Sequence, residues 1–209
     1  MEETREGSSK AEQLSFQTVD GGALPTLSLQ IKNFRVFKCD FKDIRHVFEG
    51  FHYKGGHMGG GISFCLGVQD GMKVIGGAVM GKPRHEGKYP KTIDIRRLAY
   101  IDEAPKNSES WLLGHIVRHI RKNTDALHVL SYSDLTVGHA GTIYKAANFK
   151  KIGETSPSNH VFWEGRRYHP RSLSIDRPYS YRLREAVKDG TATIEKGEPK
   201  SIWIYEITR

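Results

Sequence analysis

An α/β fold, with a central mixed β-sheet flanked by helices, is predicted for this chain of 209 residues. Three observations carry that expectation. Apolar and polar side chains alternate with period two in several short runs, the mark of half-buried strands. Two of these runs, residues 62–68 and 72–79, are joined through Gln69-Asp70-Gly71, a hairpin signal. An amphipathic helical pattern stands between the strand-like runs 92–100 and 126–132. A helix in that place demands a crossover, and so a parallel pair inside the sheet.

The elements follow in order. Residues 1–22 are polar and end in Asp20-Gly21-Gly22, and read as a tail and turn ahead of the domain. From Leu27, LSLQIKNFRVFKC alternates as a strand, and 41–48 reads as a short helix with Asp40 as N-cap and Phe41, Ile44 and Phe48 on one face. The glycine-dense loop FHYKGGHMGGG, 51–61, precedes the hairpin, and a basic loop, 81–91, precedes the strand at 92. Asn107, Ser108 and Glu109 are expected to cap the helix SWLLGHIVRHIRKN, whose stripe is Leu112, Leu113, Ile116, Val117 and Ile120. An apolar strand then ends at Ser133-Asp134, GHAGTIYKAA (138–147) reads as a short helix, and 149–152 and 159–163 read as a strand pair. A helix over 179–188 and the strand SIWIYEI close the chain. The domain reading is a tail (1–22), a core (23–165) and a basic C-terminal extension packed on it (166–209).

Composition narrows the function classes. Lys and Arg number 32 against 24 Asp and Glu, a formal charge of +8 that favours polyanionic partners. No run approaches the ~20 apolar residues of a membrane span. The opening MEETREGSSKAEQ lacks the apolar core of a signal peptide. Cys39 and Cys65 form neither a CxxC pair nor a disulfide framework, so buried reduced thiols and a cytoplasmic location are expected.

The element order is similar to that of the GNAT-like acyltransferase superfamily, with its splayed mixed sheet. Within it the chain resembles the Mom family of phage DNA-modification proteins. The residues carrying this are FHY at 51–53, IRRLAY at 95–100, SYSDLTVGHAGTIYKAANF at 131–149 and YHPRS at 168–172. The resemblance implies conversion of the N6 amine of adenine in DNA to an N6-carbamoylmethyl group, shielding the DNA from restriction. The partners implied are double-stranded DNA and a small-molecule or carrier-bound donor of acyl or glycyl type. One departure stands out. Ordinary GNAT enzymes cradle a coenzyme A pyrophosphate in a glycine-rich loop after the fourth strand. Here residues 99–108, AYIDEAPKNS, hold no glycine, one proline and two acids, which argues against acetyl-CoA.

Candidate residues follow. Asp134 closes a buried strand, where a carboxylate would accept hydrogen bonds from adenine N6 and take its proton; the alternative is a turn aspartate capping the next helix. Tyr144 would protonate the departing group, as a tyrosine of this region does in GNAT enzymes, or would simply pack against Ala140 and Ala147. Ser133 joins these as a catalytic candidate, with His52 and Tyr53 of the glycine loop, where His57 also lies. The family resemblance carries over His52, Tyr53 and Asp134 as ligands for iron, while the loop by itself reads as surface histidines. Arg96 and Arg97 are consecutive on a strand and are expected on opposite faces, one of them toward substrate. His139 is a candidate DNA contact. Arg166, Arg167, Tyr168 and Arg171 combine charge with a ring that would stack on a displaced base, and Lys82, Arg84, His85 and Lys88 form a second basic loop. Two rival functions stand beside this: a general N-acetyltransferase using acetyl-CoA on a small amine or lysine, and a non-catalytic DNA-binding protein.

Overall fold

A computed structural model describes residues 29–52, 55–56, 58, 61–83, 88–168, 170–176 and 178–209. Its first half runs β1 (Phe34–Cys39), α1 (Phe41–Phe51), β2 (Ile62–Asp70), β3 (Lys73–Gly81), β4 (Thr92–Tyr100), α2 (Ser108–Asn123) and β5 (His128–Asp134). The second half runs α3 (Thr142–Ala146), β6 (Lys150–Glu154), β7 (Asn159–Trp163), β8 (Arg166–Tyr168), α4 (Ser180–Lys188), β9 (Thr193–Lys196) and β10 (Lys200–Glu206). Seven strands form one sheet in the order β1-β2-β3-β4-β5-β10-β6, and β8-β7-β9 form a second. β1 to β4 are an antiparallel meander, β4 and β5 are parallel, and β10 runs antiparallel to both its neighbours. The parallel pair is the one the crossover helix required.

The helices cover opposite faces of the large sheet. Leu112, Leu113, Ile116, Val117 and Ile120 of α2 are all buried, against Leu66, Ala78, Met80, Ile95 and Val129. On the other side Ile44, Val47 and Phe48 of α1 pack on Cys65, Val79 and Ala99. The start of α1 is held by the Asp43 carboxylate, which accepts the Asp40 N–H at 2.9 Å. The start of α2 differs from expectation. Asn107 adopts φ 72° and its side chain caps nothing, while Ser108 and Ser110 donate their hydroxyls back to the carbonyls of Pro105 and Asn107. α3 is shorter than the predicted 138–147, because Gly138 and Gly141 at φ 76° and 78° turn the chain before it can coil.

The domain boundary at 165/166 and the predicted strand pair are both corrected. β6 belongs to the large sheet beside β10, and β7 to the small one, so they do not pair. Residues 155–199 are an insertion with its own core of Val161, Leu183, Ala186 and Ala192. β10 is no extension: it lies inside the main sheet between β5 and β6.

Two irregularities position the site. β4 and β5 pair only from Thr92↔His128 to Asp94↔Leu130 and then diverge. Immediately beyond, the β3–β4 register steps from Met80↔Ile95 to Val79↔Arg97, which makes Arg96 the extra residue of a β-bulge. The sheet opens where the bulge bends it.

Candidate active site

A cleft of about 850 Å³ fills the divergence of β4 and β5. β4 contributes Asp94 to Leu98, β5 contributes Tyr132 and Ser133, and residues 138–144 wall the far side with the turn before α3 and its first residues. A smaller hollow of about 400 Å³ adjoins it at the start of α2, sharing His52, Leu98, Glu109 and His139.

Tyr144 is 8% exposed and lines the cleft. Its ring stacks on Trp203 at 5.7 Å and 22° and meets Phe149 edge-on at 5.7 Å. Its hydroxyl accepts a hydrogen bond from Ser131 at 2.8 Å. Burial raises the phenol pKa, Ser131 opposes that, and the charges of Asp94 and Glu109 raise it further, so Tyr144 is a neutral donor at physiological pH. The indole N–H of Trp203 donates to Ser133 at 2.9 Å. Gly141 lies against the same indole: a Cβ built there would fall inside the ring, and φ is already 78°. Gly141→Ala is therefore expected to cost about 1–3 kcal/mol and displace the turn before α3, read as a lowered melting temperature.

Asp134 is placed differently from expectation. β5 pairs with β10 in unbroken register, so Ser131 and Ser133 share one face, with Tyr144 and Trp203, and Tyr132 and Asp134 share the other. The Asp134 side chain thus points to the face of β5 opposite the one that Tyr144 packs on. Asp134 is 1% exposed, accepts the Thr136 N–H at 3.2 Å and pairs with Lys200, its cross-strand neighbour, at 3.1 Å. Lys200, not Asp134, lines the cleft. Burial pushes the Asp134 carboxyl up, but Lys200 and the Thr136 bonds outweigh it and hold the pKa below the ordinary value. A depressed carboxyl contributes stability above its unfolded pKa of ~3.9 and loses it as pH falls through the folded value. Urea melts should therefore show Asp134→Asn less stable than the parent near neutrality, by on the order of 1–3 kcal/mol. The gap should close as pH falls below ~4.

Arg96 and Arg97 both line the cleft, correcting the expectation of opposite faces: the bulge interrupts the alternation that would have separated them. The Arg96 guanidinium donates to the Lys82 carbonyl at 2.8 Å and passes over Gly81, where a Cβ would meet it. Arg97 Nε lies 3.2 Å from the Met58 sulfur. His52, at the C-cap of α1, and His139, exposed in the turn before α3, also border the cleft. Tyr53, His57, Arg84 and His85 lie outside the described residues.

The basic stretch of the insertion is not brought to this cleft. Arg166, Arg167 and Tyr168 form β8, and Arg171 lies in the turn that follows. Arg167 contacts His160 Nε2 at 2.8 Å, and the half-buried Tyr168 ring sits between Trp163 and Tyr179. Tyr168 is thus largely spent on the core of the insertion, while Arg166, Arg167 and Arg171 are exposed.

Two ligand groups, one argued against and one implied by the resemblance, meet the residues present as follows. The start of α2 is poor chemistry for a diphosphate: the N–H groups of Ala104 and Ser108 are used by the carbonyls of Ile101 and Pro105, and Asp102, Glu103 and Glu109 stand in and beside the turn. Iron finds no support, and Tyr53 of its expected set lies outside the described residues. Among the described residues no three His, Cys, Asp or Glu side chains cluster, and the Asp134 carboxylate is already engaged by Lys200.

Residues 33–200 match the model of the Mom protein family. The chain belongs to the Mom family. Methylcarbamoylase mom of Escherichia phage Mu is 30% identical over 83 residues, 39% of this chain and 34% of that protein. The chain thus spans about a third of the length of this curated relative. Among solved structures, the ribosomal-protein-S18-alanine N-acetyltransferase of Escherichia coli superposes with a TM-score of 0.52 at 10% identity, over 84% of this chain and 95% of that one. An acetyltransferase of Bacillus subtilis, solved in complex with CoA, gives 0.51 at 10% identity, over 84% and 99%. These likenesses show that this Mom-family chain has the GNAT-like acetyltransferase fold. No described helix is long and apolar enough to cross a membrane.

The residues that sequence reasoning missed in this Mom-family site are Ser131, Lys200 and Trp203. A signal for the first was present: two serines at alternate positions of an otherwise apolar strand announce buried polar partners. Lys200 and Trp203 gave none, because nothing local says which strand β10 joins.

Proposed function

We propose that this protein transfers a carbamoylmethyl group to the N6 amine of adenine in DNA. The observation that carries this reading is the roomy cleft at the β4–β5 divergence, lined by Tyr144 and by two arginines, in a chain of the Mom family. At about 850 Å³ the cleft lies well inside the range of small-molecule sites and has room for a purine beside a small donor group. The target amine is paired and stacked in duplex DNA, so the adenine is everted at a cost of a few kcal/mol.

In the reaction the N6 nitrogen forms a bond to the methylene carbon of the donor. The bond from that carbon to its leaving group breaks, and the leaving group departs with the electron pair and takes the Tyr144 proton. The N6 proton passes to an imidazole of the cleft, His52 or His139. Arg96 and Arg97 hold the phosphates flanking the everted nucleotide, and Asp134 acts at one remove by anchoring Lys200. Arg166 and Arg171 add sequence-independent contacts to the backbone. The donor is a small or carrier-bound molecule held without a diphosphate cradle, and no step is routed through coenzyme A or iron.

DNA from cells expressing the chain, digested to nucleosides and analysed by mass spectrometry, is expected to contain deoxyadenosine heavier by one carbamoylmethyl group. Arg97→Ala should lower that fraction at least ~10-fold by removing a charge-assisted phosphate contact. Unmodified DNA from the wild-type culture would overturn the reading, and acetylated amines with unmodified DNA would favour a general acetyltransferase.

A further inference from the structure

We propose that Ser131 is a positioning residue for Tyr144, fixing the phenol so that its proton points into the cleft and holding the phenolate once that proton has left. The proposal rests on the reading of Tyr144 as the proton donor.

Ser131 occupies the crotch of the splayed sheet. It lies on β5 one residue past Leu130, the last to pair with β4, and it is 1% exposed. Its hydroxyl has two acceptors in reach, the Tyr144 oxygen at 2.8 Å and the Ile95 carbonyl across the gap at 3.4 Å. A serine carries one proton, so the two arrangements exclude each other. If Ser131 donated to Ile95 it would accept from Tyr144, and the phenol proton would be spent inside the protein. If it donates to Tyr144, that proton remains for the cleft. The 2.8 Å separation is the same whichever hydroxyl donates; what favours Ser131 as the donor is that its other acceptor, the Ile95 carbonyl, lies at 3.4 Å, the outer limit for such a bond.

The ring has little freedom to choose otherwise. Trp203 lies parallel to one side and Phe149 meets it edge-on, both at 5.7 Å. With the oxygen fixed by packing, the direction of its proton is set by whichever group donates to it. When the leaving group takes that proton, the Tyr144 O–H bond breaks and its electron pair stays on oxygen. The bond from Ser131 then meets an anion and strengthens, which stabilises the transition state more than the ground state. The need is real, since Asp94 and Glu109 both act against a phenolate here. After product leaves, a solvent proton restores the phenol.

The experiment measures the rate at which carbamoylmethyl-deoxyadenosine accumulates after induction, in cells expressing wild type, Ser131→Ala, Ser131→Cys, Ser131→Thr, Tyr144→Phe and the Ser131→Ala/Tyr144→Phe pair. Ser131→Ala and Ser131→Cys are expected to fall ~10-fold or more, the second with packing volume preserved. Ser131→Thr, which keeps the hydroxyl, should recover most of the rate. In the Tyr144→Phe background the loss of Ser131 should add less than ~2-fold, because the two act as one unit. Equal losses in both backgrounds, or wild-type rates in Ser131→Ala, would overturn the proposal. Should the wild type modify no adenine, the proposed reaction fails on that ground, and a measurement free of activity decides the coupling. The Tyr144 Cζ resonance of ring-labelled protein, assigned by its loss in Tyr144→Phe, should shift in Ser131→Ala and Ser131→Cys and stay in place in Ser131→Thr. A resonance unmoved in all three contradicts it.

Discussion

Tyr144→Phe is expected to lower the rate of adenine modification by ~10²-fold or more while leaving the fold nearly as stable as before. The reasoning is local. Phenylalanine keeps the stack on Trp203 and the edge contact with Phe149, so packing is conserved. What it removes is one hydrogen bond from Ser131, about 0.5–1.5 kcal/mol. Ser131 retains the Ile95 carbonyl as a second acceptor. The rate suffers because the leaving group must depart unprotonated or draw its proton from water. Nucleoside mass spectrometry reads the first effect and thermal melting the second. A variant that modifies adenine at the parental rate would remove Tyr144 from the chemistry altogether.

Trp203→Ala should be the most destabilising change in the site, by about 3–5 kcal/mol. Trp203 is 2% exposed and does three things at once: it stacks on Tyr144, donates to Ser133, and presses its indole against Gly141. Alanine leaves a void under the turn that precedes α3 and leaves Ser133 without its indole donor. Trp203→Phe keeps an aromatic ring beside Tyr144 but loses the hydrogen bond and the indole atoms that lie against Gly141; it should cost less than Trp203→Ala. Chemical denaturation of the three proteins measures the order. A melting point for Trp203→Ala within a degree or two of the parent would show that the site has some other support.

The parts of this architecture written in local sequence were legible. The five-residue stripe of α2 faces the core as its spacing required, and the crossover it implied forced the parallel pair at the heart of the sheet. Tyr144, Ser133, His139, His52 and both arginines do meet in one cleft. What stayed hidden depended on pairing partners. The parity of Asp134 relative to Ser131 was already fixed along the strand, but which parity faced Tyr144 depended on how α3 packs, and the turn aspartate proved the better reading of its hydrogen bond. The bulge at Arg96 has no glycine or proline to announce it, so the two arginines seemed destined for opposite faces. β6 and β7 read as a pair because alternation says that a segment is a strand and not which sheet it enters.

The chain leaves the large sheet at Glu154 and re-enters it at Lys200, and the two strands at that exit lie side by side, Glu154 facing Ser201. The backbone is already stitched there, with the Thr155 N–H donating to the Lys200 carbonyl and the Lys200 N–H donating to the Thr155 hydroxyl. Everything from 156 to 199 hangs from this closed neck like a pendant. A tight reverse turn spliced across the neck would leave both strands in their present alignment. The pendant is therefore expected to be exchangeable, with whatever surface it offers, while β6 and β10 keep their places beside the cleft.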